Sequence, residues 1–299
     1  MKVLNIYNKK LTSLVGQVPE GITYVNCSQN NLTSLEGLPD SVKTIYCYNN
    51  EIISLKGLPG GIQLVNCENN KLTSLKGMPE SITKFYCGRN NLTSLEGLPE
   101  DVEVVTCDDN ELTSLKGLPG NIKRFSCNQN YITSLEGLPD DVKEVWCNHN
   151  NLTSLEGIPK RATKIYCDYN KLTSLEGLPK GVKEVWCNHN KLTSLEGLPK
   201  EVKEIWCNYN YLTSLEGLPE NINYIFCTNN NLTSLKDLPR GVKTVWCGDN
   251  DLTSLEGVPV TIAEFYYEMN PVWFLHLMQG KLPQSKNQQG ILKIIKYIV

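Results

Sequence analysis

Apolar and polar positions recur along this chain every twenty residues, and Gly181 to Lys200, GVKEVWCNHNKLTSLEGLPK, is one clean copy. Aligned copies keep Val or Ile at the second position, Val, Ile or Phe at the fifth, Cys at the seventh, Asn at the tenth, Leu at the twelfth and fifteenth, and Pro at the nineteenth. Between Val182 and Asn190, apolar 185 and 187 alternate with polar or exposed 184, 186 and 188, which predicts a short strand with one buried face. Leu198-Pro199 predicts an extended return, because proline restricts both itself and its predecessor. A unit this short has no room for a helix on its outer side. A fixed period of this length predicts a solenoid in which each unit contacts only its neighbours, hence one elongated domain.

The pattern runs to about residue 270. Its first copy, Val3 to Leu11, carries Ile6 in the Cys place and Lys9 in the Asn place, and its linker is one residue longer, so it reads as a degenerate end repeat. Lys2, Lys9 and Lys10 discourage another chain from pairing with that edge. After it, Asn270-Pro271 and VWFLHLMQG predict an N-cap, a proline in the first turn and a short helix ending at Gly280. Ser285 to Gln288 predict the start of a second helix leading into Ile291, Leu292, Ile294, Ile295, Ile298 and Val299. The expected division is therefore a solenoid over 1–270 and a C-terminal cap over 271–299. The apolar tail seals the last repeat or, as the other reading, offers a homo-oligomer contact.

Two features of composition narrow this picture. With 29 basic against 32 acidic residues there is no broad positive field, so no nucleic-acid partner and no membrane partner is expected. Aromatic-plus-basic binding of single-stranded nucleic acid stays a distant third reading, because acidic neighbours offset Lys123, Lys143, Lys183, Lys203 and Lys243. All twelve cysteines lie on the ladder from Cys27 to Cys247. Adjacent strands are within disulfide reach by distance, but in-register side chains point the same way, so buried core thiols are expected. Thiols imply a reducing compartment, taken as cytoplasmic, and outweigh the Asn-Leu-Thr sequons at Asn31, Asn91, Asn151 and Asn231. No run of eighteen apolar residues occurs, and MKVLNIYNKK has no apolar segment of the signal-peptide kind, so a soluble, unexported chain is expected.

Val182-x-x-Val185-x-Cys187-x-x-Asn190-x-Leu192 resembles the leucine-rich-repeat segment LxxLxLxxNxL, with Cys in the sixth place. The Leu-Pro of the outer half is similar to the short bacterial subtype found in enteric effectors, and to short repeats of large DNA viruses. The resemblance implies a leucine-rich-repeat solenoid with a parallel β-sheet on the concave face, an extended, irregular convex side and a short helical C-terminal cap. It implies a binding role of unspecified kind, and the cytosol of a host cell if the protein is an effector or viral.

On such a strand the residues between buried positions face the concave side. The sixth position reads Asn26, Tyr46, Asn66, Tyr86, Thr106 and Ser126, then Trp146, Tyr166, Trp186, Trp206, Phe226, Trp246 and Tyr266. The aromatic part predicts a stripe of roughly 29 Å. Large rings also suit strands for their own sake, yet the first half of the chain does without them, which favours a contact surface. Glu144, Glu184 and Glu204 flank it at the fourth position, and His149, Tyr169, His189 and Tyr209 at the ninth. This amphipathic groove fits a protein ligand, centred on Trp186 and Trp206, and alternatively a glycan stacked on the rings.

No enzyme, cofactor or metal site is expected. His149 and His189 stand about 9.6 Å apart along the stack, too far to share zinc. His276 reads as an interior histidine of the cap. Some of the resembling effectors are ubiquitin ligases with a Cys-x-Asp motif, which Cys107-Asp108-Asp109 and Cys247-Gly248-Asp249 match in letters only. Both cysteines belong to the buried ladder, and no room is left for a separate catalytic domain.

Overall fold

The computed structural model describes residues 2–279. The chain divides into two compact units, Met1–Asn151 and Leu152–Val299. The predicted second helix and the apolar tail beyond Ser285 lie outside the described residues.

In the first unit, strands of three residues run from β1 (Val3–Asn5) and β2 (Tyr24–Asn26) to β8 (Glu144–Trp146), each pairing in parallel with the next. From β2 onward the register steps by twenty residues, as in Val25↔Ile45. The step from β1 is Leu4↔Val25, so the longer first linker is absorbed without loss of pairing. The second unit repeats the plan with β9 (Lys164–Tyr166), β10 (Glu184–Trp186), β11 (Glu204–Trp206), β12 (Tyr224–Phe226), β13 (Thr244–Trp246) and β14 (Glu264–Tyr266), followed by α1 (Pro271–Met278). Register is again strict, with Val185 opposite Ile205 and Trp186 opposite Trp206.

The core is built from the columns that the period marks. Val182, Val185, Cys187, Leu192 and Leu195 are all fully buried, and Phe85, Phe125 and Phe265 fill the fifth position where a larger side chain fits. Short strands leave most of each repeat without a sheet ladder, so its backbone polar groups need other partners. The outer half meets that need with turns: Leu198 N–H donates to Leu195 O at 3.2 Å, and Val202 N–H to Pro199 O at 3.2 Å. Gly197 is required there, because its φ is +88° and a Cβ would stand 2.6 Å from the backbone nitrogen of Glu176.

The tenth position supplies the remaining partners. Asn190 Oδ1 accepts from Leu172 N–H at 3.0 Å, while Nδ2 lies 3.0, 3.1 and 3.2 Å from the carbonyls of Cys167, Cys187 and Asn188. Asn90 makes the same set in the first unit, to Leu72, Cys67, Cys87 and Gly88. The degenerate first copy has no such amide of its own; its Leu11 N–H makes the regular bond to Asn30 Oδ1, and the Lys9 N–H donates to the same oxygen.

Asn270 continues the amide column expected from Asn30 onward, and corrects the expectation of a side-chain helix cap. It precedes α1 but makes no cap bond with its side chain. Its Oδ1 accepts from Leu252 N–H at 3.0 Å and its Nδ2 donates to Cys247 O at 2.9 Å, so the ladder claims the side chain that the helix would have used. The helix ends at Met278, two residues before the expected glycine.

The twelve cysteines form a buried ladder of thiols. Several donate to the sixth-position carbonyl of the next strand, for example Cys107 Sγ to Ser126 O at 3.2 Å and Cys127 Sγ to Trp146 O at 3.4 Å. Burial raises the Cys27 and Cys227 thiols to about 12, and pushes Cys187 and Cys207 well up for the same reason.

Two predictions follow from these ladders. Asn190→Ala orphans buried carbonyls and the Leu172 N–H, and is expected to cost about 2–3 kcal/mol, read as a lower midpoint in urea. The thiols are neutral in the folded state and ionise near pH 9 once exposed. Their contribution to stability is therefore complete below about pH 9 and is lost progressively as pH rises toward about 12. Denaturation midpoints measured from pH 7 to 11 are expected to fall steeply above pH 9, and a flat profile contradicts a buried thiol ladder.

Candidate aromatic interface

The sixth position of each strand lies between two buried residues and points away from the core. In the second unit it carries Tyr166, Trp186, Trp206, Phe226, Trp246 and Tyr266 on β9 to β14. Trp146, Glu144 and His149 belong to β8 and its turn in the first unit; the other eleven predicted site residues share the second.

Parallel, in-register pairing forces these rings into contact. Centroids of Tyr166 and Trp186 are 5.4 Å apart, those of Trp186 and Trp206 4.9 Å, and those of Trp206 and Phe226 3.7 Å. The last two pairs are stacked, at 27° and 17° between planes. Beyond Phe226 the geometry changes to edge-on, 78° to Trp246 and then 65° to Tyr266. The column is therefore a stack with a tilted end. Trp246 is the most open of its rings at 39% exposure, and Phe226, expected to face the groove, is buried at 8% because Trp206 and Trp246 cover both sides.

Carboxylates tie the column to the fourth position. Trp206 Nε1 donates to Glu204 Oε1 at 2.6 Å. The equivalent pair is not formed one repeat earlier: Lys164 draws Glu184 to itself at 2.9 Å, and Trp186 Nε1 is buried without a partner.

The ninth position forms a second ring column. Tyr169 and His189 are stacked at 4.1 Å and 10°, His189 and Tyr209 at 4.2 Å and 9°. All three sit at positive φ, 54°, 53° and 56°. Asn, Gln and Asp hold the same conformation elsewhere in the chain, as at Asn49, Gln129 and Asp109. A bulky ring there is unusual, since the left-handed region favours residues with short polar side chains. The sequence marked these residues as groove-facing and missed both their backbone conformation and their stacking. The frequency of Asn, Asp and Gln at the ninth position was the available signal.

Between the ring columns, the eighth position is largely architectural. Asp168 Oδ1 accepts from Asn188 N–H at 2.7 Å, Asn188 Oδ1 from Asn208 N–H at 2.9 Å, and Asn208 Oδ1 from Thr228 N–H at 2.8 Å. In the cap, buried His276 Nδ1 lies 3.1 Å from Tyr267 Oη, in keeping with an interior histidine. Cys107 and Cys247 are buried, and burial pushes both thiols well above the ordinary range, so the Cys-x-Asp tripeptides present no accessible thiolate. Among the described residues no helix is long and apolar enough to cross a membrane, and no cluster of potential metal ligands is found.

No protein-family model and no curated sequence matches the chain. Solved structures do. YopM from Yersinia enterocolitica WA-314 superposes with a TM-score of 0.72 at 22% identity, over 85% of this chain and 61% of that one. The functional domain of InlJ from Listeria monocytogenes, described as including a cysteine ladder, gives 0.71 at 22% identity, over 90% of this chain and 63% of its own. The leucine-rich-repeat part of FLRT2, solved in an octameric complex with Latrophilin 3 and Unc5D, gives 0.66 at 17%, over 84% of this chain and 90% of that chain. The fold is the leucine-rich-repeat solenoid, and this chain spans about three-fifths of the length of the YopM and InlJ chains it matches.

The stack predicts unequal costs along one column. Phe226→Ala removes a buried ring flanked on both sides and is expected to destabilise by about 3 kcal/mol. Trp246→Ala, at the open end, is expected to cost under about 1.5 kcal/mol. Urea denaturation of the two variants checks the order, and equal costs would contradict the stacked geometry.

Proposed function

We propose that this chain is a non-enzymatic recognition module that binds another protein along the ring columns of its second unit, with Trp186, Trp206 and Trp246 at the centre. Leucine-rich-repeat proteins of this fold act in general as interaction scaffolds, and the FLRT2 repeat domain is itself part of a protein assembly. The thiol ladder favours a reducing compartment as the place where the module works.

The observation that carries the reading is how the rings are presented. A sugar packs its apolar face on the face of an aromatic ring. Here the faces of Trp206 and Phe226 cover one another at 3.7 Å, and those of Tyr169, His189 and Tyr209 are covered at 4.1 and 4.2 Å. What the stack offers outward is ring edges together with phenol hydroxyls. Side chains and main chain of a protein partner match that surface, whereas a glycan finds little open ring face outside Trp246. The protein reading is therefore preferred to the carbohydrate one.

The test compares the wild type with Trp186→Ala/Trp206→Ala and with Trp246→Ala, first by affinity capture and then by titration of the purified partner. Each centrally placed Trp is expected to contribute about 2 kcal/mol if it anchors the contact, a loss of roughly thirtyfold in affinity. Circular dichroism confirms that the variants are folded. Undiminished affinity in both folded variants would falsify the reading, and saturable binding on a glycan array, lost in Trp246→Ala, replaces it with the carbohydrate alternative.

A further inference from the structure

We infer that the part of the partner lying on the ring column is a basic, extended polypeptide segment of about seven residues, whose Lys and Arg side chains reach carboxylates on both sides of the rings. The inference rests on the docking function proposed above and adds the chemistry of the ligand. On one side of the column, at the fourth position, stand Glu184, Glu204 and Glu264; on the other, at the eighth and ninth positions, Asp168, Asp249 and Glu268. The fourth, sixth, eighth and ninth positions of the second unit carry one ammonium group against these six carboxylates, that of Lys164. The local excess of five negative charges exceeds the formal −3 of the entire chain.

The same positions of the first unit are nearly balanced, with Lys84, Arg89 and Arg124 against Glu68, Asp108, Asp109 and Glu144. Rings and negative charge therefore accumulate in the same stretch. Lys183, Lys203 and Lys243 at the third position lower the excess to two negative charges when that position is included, and of the three Lys203 directs its Nζ to the Asn221 carbonyl, at 3.2 Å, in the outer turn of the next repeat.

Ring edges carry the positive part of the aromatic quadrupole, so they suit the carbonyl oxygens of a docked main chain, while the flanking carboxylates suit its cationic heads. Five strand steps from Tyr166 to Tyr266 span about 24 Å, which an extended chain covers in about seven residues. Phosphate-bearing polymers are repelled by the same rows. Asp249 and Glu268 are exposed, and Glu184, Glu204, Glu264 and Asp168 are half-buried; charge rows that reach solvent steer encounter and select among partners, and their effect falls with salt.

The test selects displayed random twelve-residue peptides on the full chain, then measures binding of the enriched peptides to wild type, Glu184→Gln/Glu204→Gln/Glu264→Gln and Trp246→Ala. Glutamine keeps an acceptor for the Trp206 N–H, and circular dichroism with urea denaturation verifies that each variant is folded. The expected result is enrichment of peptides with a net positive charge that bind roughly tenfold more weakly to the triple variant, to Trp246→Ala, and to wild type when salt rises from about 50 to about 500 mM. Uncharged apolar peptides that depend on Trp246 but not on the glutamates overturn the basic partner and leave the docking function standing. Basic peptides insensitive to Trp246→Ala and to Trp186→Ala/Trp206→Ala place binding off the rings and overturn both. Failure to enrich any peptide overturns the short extended segment.

Discussion

Every repeat after the first turns on a side-chain amide buried just past the end of its strand. Three strand residues in a repeat of twenty leave a long loop whose backbone groups run past the core with no sheet to join. Asn190 addresses that deficit at one point: its oxygen takes the Leu172 N–H of the preceding repeat, and its nitrogen is shared by carbonyls of two repeats. No apolar side chain can do this, and a carboxylate lacks the donor. Because the amide joins neighbouring units, each repeat is completed by the next one, and the end copy that lacks its own amide still gives its Leu11 N–H to Asn30 as the other copies do to theirs.

That division of labour explains what could be read from the sequence. Val185, Cys187, Asn190 and Leu192 recur because burial and hydrogen bonding fix them, so periodicity identifies the core column by column and the direction of every side chain on the strand. Period alone does not report how side chains in one column meet each other. Phe226 was placed on the open face with its neighbours and is buried there, because ring size and register, rather than facing direction, decide its exposure. Asn270 fits the buried Asn column that the period marks, and only its second reading, as a side-chain cap of α1, fails. Its local sequence, Asn before Pro, is that of a helix start, but a nonlocal demand from Leu252 N–H takes its oxygen first.

Backbone conformation was the other feature that the pattern concealed. The ninth position alternates freely among Gln, Asn, Arg, Asp, His and Tyr, which resembles an unconstrained surface site, yet every copy from Gln29 to Met269 holds φ between 50° and 60°. The constraint lies on the main chain, which must turn there to bring Asn into the core. The side chain is released outward, and this is why stacked rings at Tyr169, His189 and Tyr209 do not disturb the fold.

A stacked column also limits what it can recognise. Rings recur at the strand spacing of about 4.8 Å, whereas alternate side chains of an extended ligand recur at about 6.6 Å. No ligand of that kind can place one side chain on each ring over the whole column. Under the proposed docking function, recognition is concentrated where the regularity breaks, and the break is at Trp246, where stacking gives way to edge-on contacts on both sides and a ring becomes two-fifths exposed. On the same proposal the uniform part of the column supplies area, and the tilted ring, with Asp249 in its own repeat and Glu264 in the next, supplies the discrimination that a uniform ladder lacks.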